Sequence, residues 1–250
     1  MSIVVAYKYA PNPEDATVKA DGNIDWSRAK AAVSESDPVA IELGSRVATA
    51  QGVELVGISV GGKVAGSAMA TKNAMSRGFD RGILVADDAT AEWSSTQVGS
   101  VLADLVTKIE DVSLVLTAES SVDDAAGMMP ALIAGYLGWP AILEVTSIES
   151  TDTGYVITQR VSGGTRSLAV TGPVVVATTS DATTPAVPSM RDILAAGKKP
   201  VEILSADDVD VAPAALTVAS TERPEARARK RKMFSSADEL IAGLRQDGVL

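Results

Sequence analysis

Two hydrophobic rhythms alternate along the first part of this chain. Short continuous apolar runs stand at residues 3–7 ("IVVAY"), 53–60, 82–86 and 113–117. Runs of that length without polar alternation predict strands buried on both faces. Between them lie segments with apolar residues three and four apart. Asp37-Pro38 reads as an N-cap with proline at the first helical position, and predicts a helix to about Gln51 with Val39, Leu43 and Val47 on one face. Residues 63–76 predict a second helix, ended by Gly78. Residues 95–109 carry the clearest amphipathic stripe, Val98, Val101, Leu102, Leu105 and Ile109. Residues 125–137 predict a fourth helix, stopped by "GWP". Strand and helix alternating four times imply right-handed crossovers and a parallel sheet. The expected fold is α/β, a Rossmann-like parallel sheet with helices on both faces.

After Pro140 the rhythm changes. Residues 155–161 and 166–170 read as a β-hairpin around Gly163-Gly164, and residues 174–178 ("VVVAT") as one more buried strand. A proline-punctuated loop follows, then a short helical run at 189–196 ending in Lys198-Lys199-Pro200. From residue 205 periodicity is lost. Asp207, Asp208 and Asp210 give way to Arg227, Arg229, Lys230, Arg231 and Lys232, and a short helix closes the chain at 236–244. This divides the chain into an α/β core, residues 1–204, and an extended C-terminal stretch, residues 205–250, read as a binding arm.

Composition then narrows the chemistry. The chain has 250 residues, 46% of them hydrophobic, with no cysteine and no histidine. That excludes disulfides, thiol nucleophiles, cysteine-ligated clusters, an imidazole base and histidine-bound metals. Any redox role needs a borrowed organic cofactor. A net charge of −10 makes nucleic acid and anionic membrane poor partners. No apolar run reaches membrane-spanning length, so the expectation is a cytoplasmic protein without membrane insertion.

Open parallel sheets bind ligands beyond the carboxyl ends of their strands. "SVGGK" at residues 59–63 places two glycines between a strand and a helix, without the spacing of a P-loop. "ESSVDDAAGMM" at 119–129 places Asp123 and Asp124 at a strand exit before a helix start. These carboxylates serve either as helix caps or as an adenosine site, with ribose hydroxyls on a carboxylate and phosphate on the amides of Gly127 to Met129. The pair lacks further clustered ligands for a metal, and adjacent carboxylates diverge too far for acid–base catalysis. Arg160 falls within the expected hairpin, where most arginines are a solvated strand face.

These stretches together resemble the β subunit of electron transfer flavoproteins. "VVAYKYAPNPEDATV", "ISVGGKVAGSAMATKNAMSRGFDRGILV", "ESSVDDAAGMMPALIAGYLGWP" and "PSMRDILAAGKKPVEIL" carry the resemblance. Within the family, the chain looks like the branch associated with anaerobic carnitine/crotonobetaine reduction. The resemblance implies a heterodimer with a larger α subunit. One FAD would be held mainly by that subunit, and AMP, or a second FAD in electron-bifurcating members, by this chain. The chain would carry no catalytic residue. The nucleotide pocket would use Ala6, Tyr7, Lys8, Val60, Gly61 and Asp124, with Gly127, Met128 and Met129 as phosphate loop. Asparagine, glutamine and threonine are usual at those last three positions, so backbone amides alone remain there as donors. Asp37, Pro38 and Val39 match the family's Asn-Pro-Phe turn in part.

Thr183, Thr184, Pro185, Ala186, Val187, Pro188, Ser189 and Met190 correspond to the family's recognition loop for dehydrogenase or reductase partners, with "TTPA" where "NEPR" is usual. A stand-alone adenine-nucleotide-binding regulator of related fold is the alternative from a different functional class.

Overall fold

The computed structural model describes residues 1–220, 222, 225 and 231–250. Of the basic run, Arg227, Arg229 and Lys230 lie outside the described residues. The chain opens with β1 (Ser2–Ala6), then two short antiparallel pairs formed by β2 (Tyr9–Pro11) with β5 (Ala31–Val33) and β3 (Thr17–Val18) with β4 (Ile24–Asp25). Next come α1 (Asp37–Gln51), β6 (Glu54–Gly61), α2 (Ala68–Met75), β7 (Arg81–Ala86), α3 (Ser95–Thr107), β8 (Val112–Ala118) and α4 (Met129–Leu137). The second part holds β9 (Ala141–Thr151), β10 (Gly154–Val161), β11 (Gly164–Val170), β12 (Val174–Thr178), α5 (Met190–Ala196), β13 (Val201–Leu204) and α6 (Ala237–Gln246).

One nine-stranded sheet runs in the order β11-β10-β9-β12-β8-β1-β6-β7-β13. From β9 to β13 across that order every pair is parallel, while β9, β10 and β11 pair antiparallel at the other edge. The chain leaves β1 toward β6 and β7 and returns on its other side as β8. The sheet therefore reverses its winding at β1, and a crevice opens beyond the ends of β1, β6 and β8. Two apolar clusters flank the sheet. α1, α2 and Phe79 cover one face, with Ile3, Val5 and Leu116 beneath; α3 and α4 cover the other, over Val4, Val56 and Val115. β1 and β12 are buried along their whole length, which accounts for their unbroken apolar runs.

Three expectations change. The helix expected over 63–76 is a 3₁₀ turn, Lys63–Gly66, followed by α2, because Ser67 restarts the helix by accepting from the Ala70 amide at 3.3 Å. The helix expected from Ala125 starts at Met129, because Ala125 and Gly127 have φ of 51° and 64°, outside helical space. Asp37 does not cap α1: Ser36 holds that position, and the Asp37 carboxylate turns away to the Lys8 amide. Two strands carry no clear sequence signal. β9 mixes faces through a bulge at Glu144, whose φ is 56°. β13 has four residues and is specified only by pairing with β7.

Lys199 explains the "KKP" that ends the α5 segment. Its ammonium donates to the Met75 carbonyl at 3.1 Å and to the Phe79 carbonyl, closing the end of α2 onto the turn before β13. Lys199→Met should leave two half-buried carbonyls without that donor and lower stability by about 1–3 kcal/mol. A denaturant titration checks this, and an unchanged midpoint would show that water replaces the ammonium freely.

Candidate functional site

A cavity of about 270 Å³ occupies the crevice at the switch point. Its floor is the exit of β1 (Ala6, Tyr7, Lys8) and of β6 (Val60, Gly61). One wall is apolar: Trp93, Val98, Leu102 and Met129 from α3, its entry and α4. The facing wall is polar, with Asp37 from α1 and Glu119, Ser120, Ser121 and Asp124 from the loop after β8. An apolar slot facing a few convergent polar groups suits a ligand with a flat ring and a hydroxylated portion.

Nine of the ten cleft residues expected from the sequence line this cavity: Ala6, Tyr7, Lys8, Val60, Gly61, Asp124, Gly127, Met128 and Met129. Asp123 does not. Its carboxylate takes the Lys8 ammonium at 2.8 Å, behind the lining. Burial would raise the Asp123 carboxyl, but hydrogen bonds from Lys8 and Ser121 hold it below its ordinary value. Asp124 is exposed at the mouth. Neither carboxylate caps α4, which begins five residues later and has no side-chain cap. The left-handed Ala125 and Gly127 turn the loop so that the backbone of Gly127, Met128 and Met129 borders the cavity.

Asp37, Glu119 and Trp93 also line the cavity, although none was expected there from the sequence. Asp37 is 5% exposed, and its Oδ2 accepts from the Lys8 amide at 2.7 Å. Burial pushes its carboxyl up to about 7, against the pull of that amide and of the Lys8 charge. Glu119 is also pushed up, first by burial and then by Glu144 beside it, and its Oε1 is buried without a partner. The Tyr7 hydroxyl is buried and unpartnered too, and burial raises its pKa. Asp37 and Trp93 carry no local sign of a cleft role; only the fold brings them to this opening.

Residues Thr183, Thr184, Pro185, Ala186, Val187, Pro188, Ser189 and Met190 lie apart from the cleft lining, on the irregular segment after β12 and at the start of α5. The Ala186 amide donates to Glu42 on α1 at 3.3 Å. Ser189 is spent in a capping box with Asp192. Val187 and Met190 project into solvent, 90% and 73% exposed. Arg160 at the end of β10 clamps Asp181, just before this segment, with Nη2 at 2.7 and 2.8 Å from its two carboxylate oxygens.

Among the described residues no group of three or more histidine, cysteine or carboxylate side chains is placed to hold a metal ion, and no helix is long and apolar enough to cross a membrane. The model of the electron transfer flavoprotein domain matches residues 22–209, well over half of the chain and nearly all of the nine-stranded sheet. The chain thus belongs to the electron transfer flavoprotein family, which works with flavin cofactors and passes electrons to and from other proteins.

Proposed function

We propose that this chain is the β subunit of a heterodimeric electron transfer flavoprotein. Its cleft would hold the adenosine end of an adenine nucleotide, and one FAD, carried mainly by the α subunit, would shuttle electrons between dehydrogenase or reductase partners. The observation that carries the reading is the convergence of the β1 exit, the β6 exit and the loop after β8 on one cavity at the switch point. The branch associated with carnitine/crotonobetaine reduction is the one its motifs resemble. The flavin supplies reversible uptake and release of electrons. This chain supplies a frame for the nucleotide and a surface for its partners.

The cleft matches the adenosine half of AMP. Trp93, Val98, Leu102 and Met129 offer an apolar slot for the base, and Asp124 a carboxylate for ribose hydroxyls. The phosphate would rest on backbone amides around Gly127 to Met129, because the ammonium of Lys8 is engaged by Asp123. A volume of about 270 Å³ leaves room for the adenosine end of a nucleotide.

Two surfaces support the partner assignments. The loop from Thr183 to Met190 presents Val187 and Met190 outward, as a docking loop would. The helix α6 buries none of its residues, and its Leu240 and Ile241 stay exposed, as expected of an arm that packs on the α subunit.

Purifying the chain with its flavin-bearing partner and extracting the bound nucleotides tests the assignment. FAD and AMP in equal amounts are expected. Two FAD and no AMP would make it a bifurcating subunit. A monomer that binds ATP tightly without flavin would make it a stand-alone regulator. Asp124→Ala should weaken adenosine binding about tenfold or more, the worth of one hydrogen bond to a charged group, with little effect on folding because the residue is exposed. Calorimetric titration with adenosine reads this, and unchanged affinity would remove Asp124 from the site.

A further inference from the structure

The cleft is poorly matched in charge to a phosphorylated ligand. Its lining carries three carboxyl groups, Asp37, Glu119 and Asp124, against one cation, Lys8. The Lys8 ammonium is already paired with Asp123 at 2.8 Å, outside the lining. A phosphate entering this cleft meets negative charge that water screens only in part, least of all at buried Asp37.

The three carboxyl groups respond differently. Asp124 is exposed, so solvent weakens its repulsion. Glu119 belongs to a second network with Glu144, Arg160 and Asp181. Asp37 is the deeply buried one, and its carboxylate accepts from the Lys8 amide. The charged or titratable groups around it are Tyr7 and Lys8 from the β1 exit, Asp123 from the loop after β8, and Arg77 after α2. The Arg77 charge is partly buried, and its Nε has no partner.

Building on the nucleotide reading above, we propose that a phosphorylated adenine nucleotide enters this cleft together with a proton taken up by Asp37, which thereby sets the charge the ligand can carry. The proton comes from water and converts the Asp37 carboxylate to the neutral acid; no other bond changes. Burial has already brought this carboxyl to about 7, so near neutral pH it accepts a proton at little cost. The Lys8 amide keeps its acceptor, because a protonated carboxyl retains a carbonyl oxygen.

The test is isothermal titration of the nucleotide-free protein with AMP between pH 6.5 and 8.5, in two buffers of different ionisation enthalpy, with uncharged adenosine as control. The expected result is uptake of about half a proton per AMP at pH 7, rising toward one at pH 8, with affinity falling by up to about tenfold per pH unit above 7. Adenosine should show little of either. Asp37→Asn should flatten the AMP profile and tighten AMP above pH 7. The second ionisation of the phosphate itself, near pH 6, is common to both proteins and cancels in the comparison. AMP binding without proton uptake in the unmodified protein, or with uptake unchanged in Asp37→Asn, overturns the inference alone. The two-buffer measurement decides this even if the variant does not fold. Adenosine and AMP sharing one pH profile also overturns it, since Asp37 would then act as a hydrogen-bonding group. Failure of AMP to bind at any pH overturns the nucleotide reading and the inference with it.

Discussion

Replacing Phe79 by alanine is expected to lower the free energy of unfolding by about 3–5 kcal/mol. Phe79 is fully buried on the turn between α2 and β7. Its ring lies over β6 at Gly57, where an added Cβ would sit 3.1 Å from three ring carbons. Glycine at 57 and phenylalanine at 79 are thus one packing solution: the strand gives up its side chain and the ring fills the space. The Tyr7 ring stands 5.5 Å away, tilted by 32°, so the cavity left by alanine opens against it. The cleft should feel this as well. Tyr7 lines the cleft and its hydroxyl has no partner, so its ring packing works with the bond from its amide to the Ile58 carbonyl, 3.0 Å, in holding the β1 exit. Adenosine affinity should therefore fall along with stability in Phe79→Ala, and much less in Phe79→Leu, which keeps most of the volume. A denaturant titration with unchanged slope reads the first effect. A loss below about 1 kcal/mol would mean that the neighbours close over the gap, and that Phe79 does not position β1.

The physics that makes Phe79 important also sets what the sequence reveals. Strands buried on both faces, such as β1 and β12, write themselves as unbroken apolar runs, and α3 writes itself as a stripe. Elements defined by a distant partner do not. β13 exists because β7 offers it an edge, and β9 because β12 and β10 flank a bulged strand. The cleft divides in the same way. Gly61 and Gly127 mark strand exits and turns, which leave local signals. Asp37 was legible as a helix start, since Asp-Pro is a good one, but its actual acceptor role needs the Lys8 amide, 29 residues earlier in the chain. Trp93 leaves no local trace at all, and Glu119 stands in a stretch whose aspartates alone drew a reading. They matter because a switch point brings the loop after β8 and the entry of α3 to one opening.

Asp37→Asn is expected to stabilise the fold by about 4 kcal/mol at pH 8 and hardly at all at pH 4. The folded state raises this carboxyl from 3.8 to about 7, mainly by burial. A carboxyl raised in this way favours the folded state below its unfolded value, where both states hold the proton. That advantage is lost as pH rises, at about 1.4 kcal/mol per pH unit, until the folded group ionises near 7, and the difference is constant above that. Asparagine keeps a carbonyl for the Lys8 amide and removes the charge, so the variant should not show this decline. Asp123 works in the opposite sense: held low, it stabilises above its unfolded value and loses that contribution as pH falls. It is present in both proteins, so subtracting their unfolding free energies from pH 4 to pH 8 isolates Asp37. A difference that does not grow with pH would show that Asp37 stays solvated and ordinary. A difference that grows and levels off near pH 7 would mean that the protein keeps a destabilising carboxylate in its cleft, where burial and the charge of an anionic ligand both favour the neutral acid.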